Sequence, residues 1–120
     1  MLKAFKEEHD KTSDLSAFII NRKKIKNLEN YYKGHWWVQD FSSMLPIHLS
    51  PEIKFKKILD MCAAPGGKAF QTISLNNDVT LNDISLKRTK ILKANLDRLN
   101  FSNEIKNYNA LEIPEDKKFD

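Results

Sequence analysis

The second half of the chain alternates β-prone apolar runs with helical segments, and this alternation limits the fold more than any other feature. The predicted strands and helices, in chain order, span residues 57–61, 68–75, 79–82, 85–99 and 104–108. Strands that alternate with helices are typical of a parallel sheet with right-handed crossover connections. We therefore predict an α/β fold, with a fourth strand beginning at residues 118–120.

The first part of the chain carries weaker patterns. Residues 1–10 predict a short helix, and residues 17–21 and 24–28 predict two short strands. These elements are too small to form a domain core of ordinary size. We therefore predict an N-terminal segment at residues 1–33 and one main domain at residues 34–120.

A helix is predicted just before the α/β half begins. Asp40 is a suitable N-cap for a helix over residues 41–49, which Pro46 is expected to bend or end. We expect Gln39 and Asp40 to position this helix rather than to bind a ligand. The two tryptophans at residues 36 and 37 are expected to be packing residues rather than stacking platforms.

Composition excludes several classes of protein. With 120 residues, 41% hydrophobic and 30% charged, the chain suits one globular domain. No apolar run approaches the roughly 20 residues that a membrane helix needs, and the charged first residues predict no secretory signal. Cys62 is the only cysteine, which excludes an intramolecular disulfide and favours the cytoplasm. His35, His48 and Cys62 lack the spacing of a zinc site, so we expect no metal.

The formal net charge of +4 is a weak indication of a nucleic-acid partner. A basic cluster at residues 22–26 lies close in sequence to Tyr31 and Tyr32. Such side chains are suited to RNA phosphates and bases. The alternatives are a solvated charged turn and a compositional bias toward lysine, asparagine and isoleucine.

The motif with most chemical information is DMCAAPGGK, at residues 60–68, between a predicted strand and a predicted helix. In open α/β sheets, ligands bind at the carboxyl ends of the strands. Glycines allow the backbone to approach a ligand, and a helix N-terminus favours a carboxylate or a phosphate. Asp83 ends the next predicted strand, where a carboxylate can accept hydrogen bonds from ribose hydroxyls.

These residues are compatible with a nucleoside cofactor, either NAD or S-adenosylmethionine. The loop lacks the G-x-G-x-x-G of dinucleotide binding and the G-x-x-x-x-G-K-[ST] of a phosphate-binding loop. S-adenosylmethionine carries a carboxylate and a ribose but no phosphate, so it suits the motif better. A tight turn in a structural α/β protein remains the alternative on these residues alone.

Three strings together resemble the Nop/Sun family of S-adenosylmethionine-dependent RNA (cytosine-5) methyltransferases, in particular its bacterial Sun/Fmu-like 16S rRNA type. They are GHWWVQDFSS at residues 34–43, LDM-CAAPGGK with NDIS-x-x-R at residues 59–88, and KANLDRLN at residues 93–100. The resemblance implies a Rossmann-like methyltransferase fold, truncated after the third to fourth strand. It also implies S-adenosylmethionine as cofactor and RNA, in particular ribosomal RNA, as substrate.

The resemblance also implies individual roles. Residues 62–68 wrap the methionine end of the cofactor, Asp83 holds the ribose and Arg88 lies beside the cofactor. Asn109 stands where the family has an acidic residue that reaches the adenine amino group, and Ala69 replaces the usual threonine. The implied cofactor-binding residues are Cys62, Ala63, Ala64, Pro65, Gly66, Gly67, Lys68, Asp83, Arg88 and Asn109.

The family's catalytic groups are two cysteines and an acidic residue in segments after the fourth strand. None matches a position up to residue 120, so we predict no catalytic residue here and an inactive fragment that supplies the cofactor-binding half. We expect Cys62 to be a buried, cofactor-lining thiol rather than a nucleophile. The alternatives are a non-catalytic cofactor- or RNA-binding module and a structural α/β protein.

Overall fold

The computed structural model describes residues 9–11, 16–19, 24–50, 52–112 and 118–120. The chain divides into two compact units with a boundary between Trp37 and Val38. The predicted domains, 1–33 and 34–120, remain a prediction about how the protein is organised. Among the helices of the described ranges, none is long and apolar enough to cross a membrane.

The first unit contains a two-stranded antiparallel sheet. Strand β1 (His9–Lys11) pairs with β2 (Ala17–Ile19), with His9 opposite Ile19. The strand predicted at residues 17–21 is therefore present at its first three residues. Residues 1–8 of the predicted helix lie outside the described residues, and His9 and Asp10 belong to β1 instead.

The strand predicted at residues 24–28 is wrong. Ile25–Asn27 forms a turn of 3-10 helix, closed by the Leu28 N–H, which donates to the Ile25 carbonyl at 3.1 Å. The alternation of apolar residues there does not mark a buried face, because Leu28 is buried whereas Ile25 is 43% exposed. Residues 36–40 form neither strand nor helix.

An aromatic cluster follows this turn in the first unit. The ring of Tyr31 makes edge contacts with Tyr32 at 5.3 Å and with Trp36 at 5.4 Å between ring centroids. The Trp36 indole N–H also donates to the Glu29 carbonyl at 2.9 Å. Trp36 is therefore a packing residue, as the sequence predicts, whereas Tyr32 is 72% exposed.

The second unit is built on a parallel sheet of three strands in the order β3-β4-β5. These strands are β3 (Lys57–Asp60), β4 (Asp78–Asn82) and β5 (Ile105–Lys106). Asp60 pairs with Leu81 and Leu81 with Ile105, so the three carboxyl ends lie along one edge. The predicted parallel α/β sheet is confirmed.

Three helices accompany this sheet: α1 (Phe41–His48), α2 (Gly67–Ser74) and α3 (Leu86–Leu99). The apolar positions of α2 and α3 pack with the sheet to form the core. Its most buried residues are Ala69, Phe70, Val79, Leu81, Leu92 and Leu96. Helix α1 packs on α2, which places the segment before α1 near the start of α2.

The helix ends follow local chemistry, and the N-cap at Asp40 is as the sequence predicts. The carboxylate of Asp40 accepts from the Ser43 N–H at 3.3 Å and caps α1. Ser85 caps α3 by accepting from the Arg88 N–H at 3.4 Å. Asn100 ends α3 in the left-handed region with φ of 59°. Helix α1 continues past Pro46 and ends at His48.

Residues 118–120 do not form a strand, but Asp120 lies beside β3. Its N–H donates to the Lys57 carbonyl at 2.9 Å, and its carboxylate accepts from the Lys57 N–H at 2.7 Å. The carbonyl of Lys56 accepts from Asp78 of β4. Because neighbouring residues of a strand direct their backbone groups to opposite sides, Asp120 lies on the edge of β3 away from β4.

Candidate cofactor site

The loop between β3 and α2 is tied to the end of β4. The Ala63 N–H donates to the Asn82 carbonyl at 2.8 Å. The Asn82 amide in turn donates to the Met61 carbonyl and to the Tyr108 carbonyl, both at 3.2 Å. One buried asparagine therefore joins the ends of all three strands of the sheet.

Gly66 has a conformation and a neighbour that only glycine tolerates. Its φ is +122°, and a Cβ there would lie 1.9 Å from the Cζ of Phe70. Its carbonyl accepts the first helical hydrogen bond from the Phe70 N–H at 2.8 Å. The loop can thus turn directly into α2, whose first N–H groups are unpaired within the helix.

Asp83 lies against this loop, directly after β4. The residue is 1% exposed, and its Oδ2 accepts from the Ala64 N–H at 3.3 Å. Its Oδ1 accepts from the Ser85 N–H at 3.0 Å, and Nη1 of Arg88 lies 3.4 Å from Oδ2. Nη2 of Arg88 also donates to the Ala64 carbonyl. The motif loop and the carboxylate after the second strand therefore meet, as the sequence predicts.

An open crevice of about 240 Å³ lies beside the loop. One wall consists of residues 60, 62–65, 67 and 68, from the end of β3 to the start of α2. The opposite wall consists of residues 38–40 and 43, at the start of α1. Six of the ten predicted cofactor-binding residues line the crevice: Cys62, Ala63, Ala64, Pro65, Gly67 and Lys68.

The other four predicted residues do not line it. Gly66 shapes the loop, and Asp83 and Arg88 contact Ala64 from behind. Asn109 instead closes the 3-10 turn Ala110–Glu112, since its side-chain oxygen accepts from the Leu111 N–H at 3.2 Å.

Cys62 corrects one expectation. Its side chain is exposed, not buried, and it lines the crevice. The buried positions of the loop are taken by Ala63 and Ala64, which are 5% and 3% exposed. The loop after β3 thus turns the two alanines inward and leaves the thiol at the surface of the crevice.

Two carboxylates and one ammonium group give the crevice its charge. Burial raises the pKa of Asp60, against the opposing effects of the Cys62 N–H, which donates to it at 3.2 Å, and the charge of Lys68. Hydrogen bonds from the Ser42 hydroxyl and the Ser43 N–H lower the pKa of Asp40. In the part of the chain that the structure describes, no group of three or more His, Cys, Asp or Glu side chains has the arrangement of a metal site.

The sequence predicts that Gln39 and Asp40 position α1, and the family resemblance implies that they face the cofactor side. Sequence reasoning missed Val38 and Ser43 on the same wall, and it missed Asn82 and Asn107. Asn107 donates to the Asp83 carbonyl at 2.6 Å and so fixes the backbone behind the carboxylate. Asn82 ends β4 and Asn107 follows β5, and this position at strand ends, where parallel sheets bind ligands, was the available signal for both asparagines.

Comparison with known proteins agrees with this architecture. The crystal structure of NSun6 from Pyrococcus horikoshii with SFG superimposes with a TM-score of 0.62 at 28% identity, covering 73% of this chain and 24% of that one. The crystal structure of PH0851 gives a TM-score of 0.68 over 84% of this chain and 24% of that one, and at 20% identity it supports the fold alone. The fold is that of the Rossmann-like α/β methyltransferases.

Residues 46–120 match the family described as 16S rRNA methyltransferase RsmB/F. The chain belongs to this family. It is 40% identical over 88 residues to the human 28S rRNA (cytosine(4447)-C(5))-methyltransferase. The alignment covers 70% of this chain and 11% of the human protein. It is 39% identical over 84 residues to the ribosomal RNA small subunit methyltransferase B of Photorhabdus laumondii, covering 68% of this chain and 20% of that protein. The chain thus spans a small part of the length of these relatives.

Proposed function

We propose that the crevice binds the methionine end of S-adenosylmethionine, that the nucleoside extends beyond it toward Asp83 and Asn109, and that the chain supplies the cofactor-binding part of an enzyme that methylates C5 of cytosine in ribosomal RNA. The observation that carries the proposal is the contact between the motif loop and Asp83, across adjacent carboxyl ends of a parallel sheet, in a member of this family. The structural neighbour NSun6 contains SFG, an analogue of S-adenosylmethionine, which supports the same class of ligand.

The residues present fit the chemistry of this cofactor. The methionine end carries one positive and one negative group, and the crevice offers carboxylates at Asp40 and Asp60 and an ammonium at Lys68. The start of α2 adds unpaired N–H groups that favour the cofactor carboxylate. Gly66 and Gly67 keep the loop free of side chains where it turns into the helix.

The ribose is assigned to Asp83. A carboxylate has about four acceptor positions, and this one receives the Ala64 N–H, the Ser85 N–H and Arg88. Arg88 is half exposed and covers the carboxylate, so its guanidinium is the group that moves when ribose hydroxyls approach. Asn109 is assigned to the adenine, to which its side-chain carbonyl offers a second lone pair.

The bound cofactor supplies the methyl group, and the residues of this chain bind and orient it. Cys62 lies on the crevice wall, within the loop assigned to the cofactor. We therefore assign it to cofactor contact and not to attack on cytosine, which the resemblance gives to cysteines outside residues 1–120.

We further propose that the first unit contacts RNA and that the protein acts in the cytoplasm. The exposed Tyr32 and the exposed Lys24 and Lys26 supply a stacking surface and positive charge. Arg22 and Lys23, which the sequence also assigns to this cluster, lie outside the described residues.

The test of cofactor binding is isothermal titration calorimetry of the chain with S-adenosylhomocysteine. We expect saturable binding that S-adenosylmethionine displaces and that NAD does not. Absence of heat with both S-adenosylhomocysteine and S-adenosylmethionine would refute the cofactor assignment. Methyl transfer to cytosine C5 is then measured with the protein containing this chain and ribosomal RNA, and cofactor binding without transfer would indicate a binding module.

A further inference from the structure

The side chain of Gln71, on α2, joins the two walls of the crevice without lining it. Its Oε1 accepts from Nε2 of Gln39 at 3.1 Å, and its Nε2 donates to the Met44 carbonyl at 3.1 Å. Gln39 lies on the wall before α1, and Met44 lies within α1. One half-buried amide thus holds both the beginning and the middle of the α1 segment against α2.

The stem of Gln39 is also held against the start of α2. A Cβ at Gly67 would lie 3.3 Å from the Cγ of Gln39. Gly67 is the first residue of α2 and lines the crevice. Gln39 therefore lies directly over the helix start, at a separation that the absence of a side chain on Gly67 permits.

These contacts matter because the wall at residues 38–43 lies outside the sheet. Its placement depends on packing between α1 and α2 and on side-chain contacts such as the Gln39–Gln71 hydrogen bond. An amide that uses both its donor and its acceptor fixes geometry more tightly than apolar contact, since each hydrogen bond has a preferred direction. Displacement of Gln39 would move Asp40, its neighbour on the same wall.

We propose that Gln71 is a positioning residue that sets the width of the cofactor crevice through Gln39. This inference rests on the proposed binding of S-adenosylmethionine. Gln71 itself touches no ligand, and it acts by holding Gln39 and Asp40 opposite residues 60–68. Loss of its amide lets the α1 segment move away from the loop, so the two walls no longer contact the cofactor together.

The experiment is calorimetry of the 120-residue chain with S-adenosylhomocysteine, using Gln71→Met, Gln71→Glu and Gln39→Met. Gln71→Met keeps the length of the side chain and removes both hydrogen bonds, so we expect the dissociation constant to rise about threefold to tenfold. Gln71→Glu keeps the acceptor for Gln39 and replaces the donor to Met44 by a carboxylate oxygen. Because the proposal acts through Gln39, it requires a smaller loss of affinity for Gln71→Glu than for Gln71→Met. In the double variant Gln39→Met/Gln71→Met, we expect no greater loss of affinity than in the weaker-binding single variant, because both changes break the same Gln39–Gln71 hydrogen bond.

The matched control is Ser74→Ala on the same helix. Ser74 is half-buried and donates to the Phe70 carbonyl at 2.7 Å within α2, away from α1. We expect this change to lower the melting temperature without changing the dissociation constant. If Gln71→Met lowers the melting temperature and leaves affinity unchanged, its role is only structural and the proposal fails.

Further results also test whether Gln71 positions Gln39. Additive losses in the double variant, or a loss for Gln71→Glu as large as for Gln71→Met, would overturn positioning through Gln39. Should Gln71→Met fail to fold, Gln71→Glu is compared with Gln39→Met instead. The proposal requires Gln39→Met to lose more affinity than Gln71→Glu, and the reverse order would overturn it. If the unchanged chain binds no S-adenosylhomocysteine, the proposed function and this inference fail together, whereas binding that Gln71 does not influence removes only the inference.

Discussion

The Ala64 N–H donates to the buried carboxylate of Asp83 at 3.3 Å, so the motif loop and the second strand end share one hydrogen bond. Their residues are 19 positions apart in the chain, and the contact forms because β3 and β4 are adjacent and parallel. The same carboxylate attracts Arg88, which also reaches the Ala64 carbonyl. This local network is the basis of the first prediction.

Asp83→Ala is expected to weaken S-adenosylhomocysteine binding about tenfold to a hundredfold, because ribose hydroxyls lose a charged acceptor. Calorimetry measures the change. Asp97→Ala is the control, since Asp97 is an exposed carboxylate of α3 paired with Lys93 at 2.6 Å. Equal affinity for the Asp83 variant and the unchanged chain would remove the ribose assignment.

Gly66→Ala is expected to destabilise the fold by about 3 kcal/mol or more, through backbone strain and overpacking. The added Cβ would meet the Phe70 ring at a distance of 1.9 Å, with φ at +122°. Gly67→Ala is the comparison, because its Cβ would meet only the flexible Gln39 side chain at 3.3 Å. Urea denaturation of both variants checks this, and a Gly66 variant as stable as the Gly67 variant would contradict it.

Asp60→Asn is expected to stabilise the fold at neutral pH and to have little effect near pH 4. Burial raises the pKa of Asp60, so the folded state holds its proton to a higher pH than the unfolded state. The contribution of Asp60 to stability therefore falls as pH rises from its ordinary pKa of 3.8 through its raised pKa in the folded state. Above that pH, the ionised carboxylate is unfavourable in the folded protein. Asparagine removes the charge and keeps an acceptor for the Cys62 N–H. Urea titrations at several pH values measure the difference, and a gain that grows toward low pH would show the opposite sign.

Cys62 is expected to react with a maleimide in the free chain and to be protected by S-adenosylhomocysteine. The thiol is exposed and lines the crevice, so a ligand there covers it. Mass spectrometry follows the labelling, with NAD as the control ligand and Cys62→Ser as the unreactive variant. Labelling at the same rate with saturating S-adenosylhomocysteine would place the cofactor elsewhere.

Cys62→Ala in the protein containing this chain is expected to leave the covalent adduct with RNA intact. The side chain belongs to the loop assigned to the cofactor and not to the groups assigned to attack on cytosine. Denaturing gel electrophoresis detects the adduct. Its disappearance in the variant would mean that Cys62 is the nucleophile.

Local patterns account for what the sequence predicted well. The spacing of Leu92, Leu96 and Leu99 identifies α3, and Ser85 and Asn100 mark its two ends. The strand ends that carry the motif loop and Asp83 follow from the short β-prone runs that precede them. These features depend on residues within one or two turns of each other, and such residues interact whatever the rest of the chain does.

Long-range contacts account for what the sequence did not predict. The Gln39–Gln71 hydrogen bond joins residues 32 positions apart, and no local pattern indicates that α1 supplies a wall of the crevice. The exposure of Cys62 depends on which of three small residues the loop turns inward. The sequence predicts a strand at residues 24–28, but Ile25–Asn27 forms a 3-10 turn that buries Leu28 and leaves Ile25 exposed.

The backbone hydrogen bond between Asp120 and Lys57 has a consequence for where the crevice opens. From β3 the sheet grows through β4 to β5 in one direction, while the chain at residue 120 returns to the other flank of β3. The described residues therefore place chain on both sides of β3 at Lys57, with β4 on one side and Asp120 on the other. The crevice follows the carboxyl end of this strand, where open α/β sheets bind ligands, and not the carboxyl end of the outer strand β5.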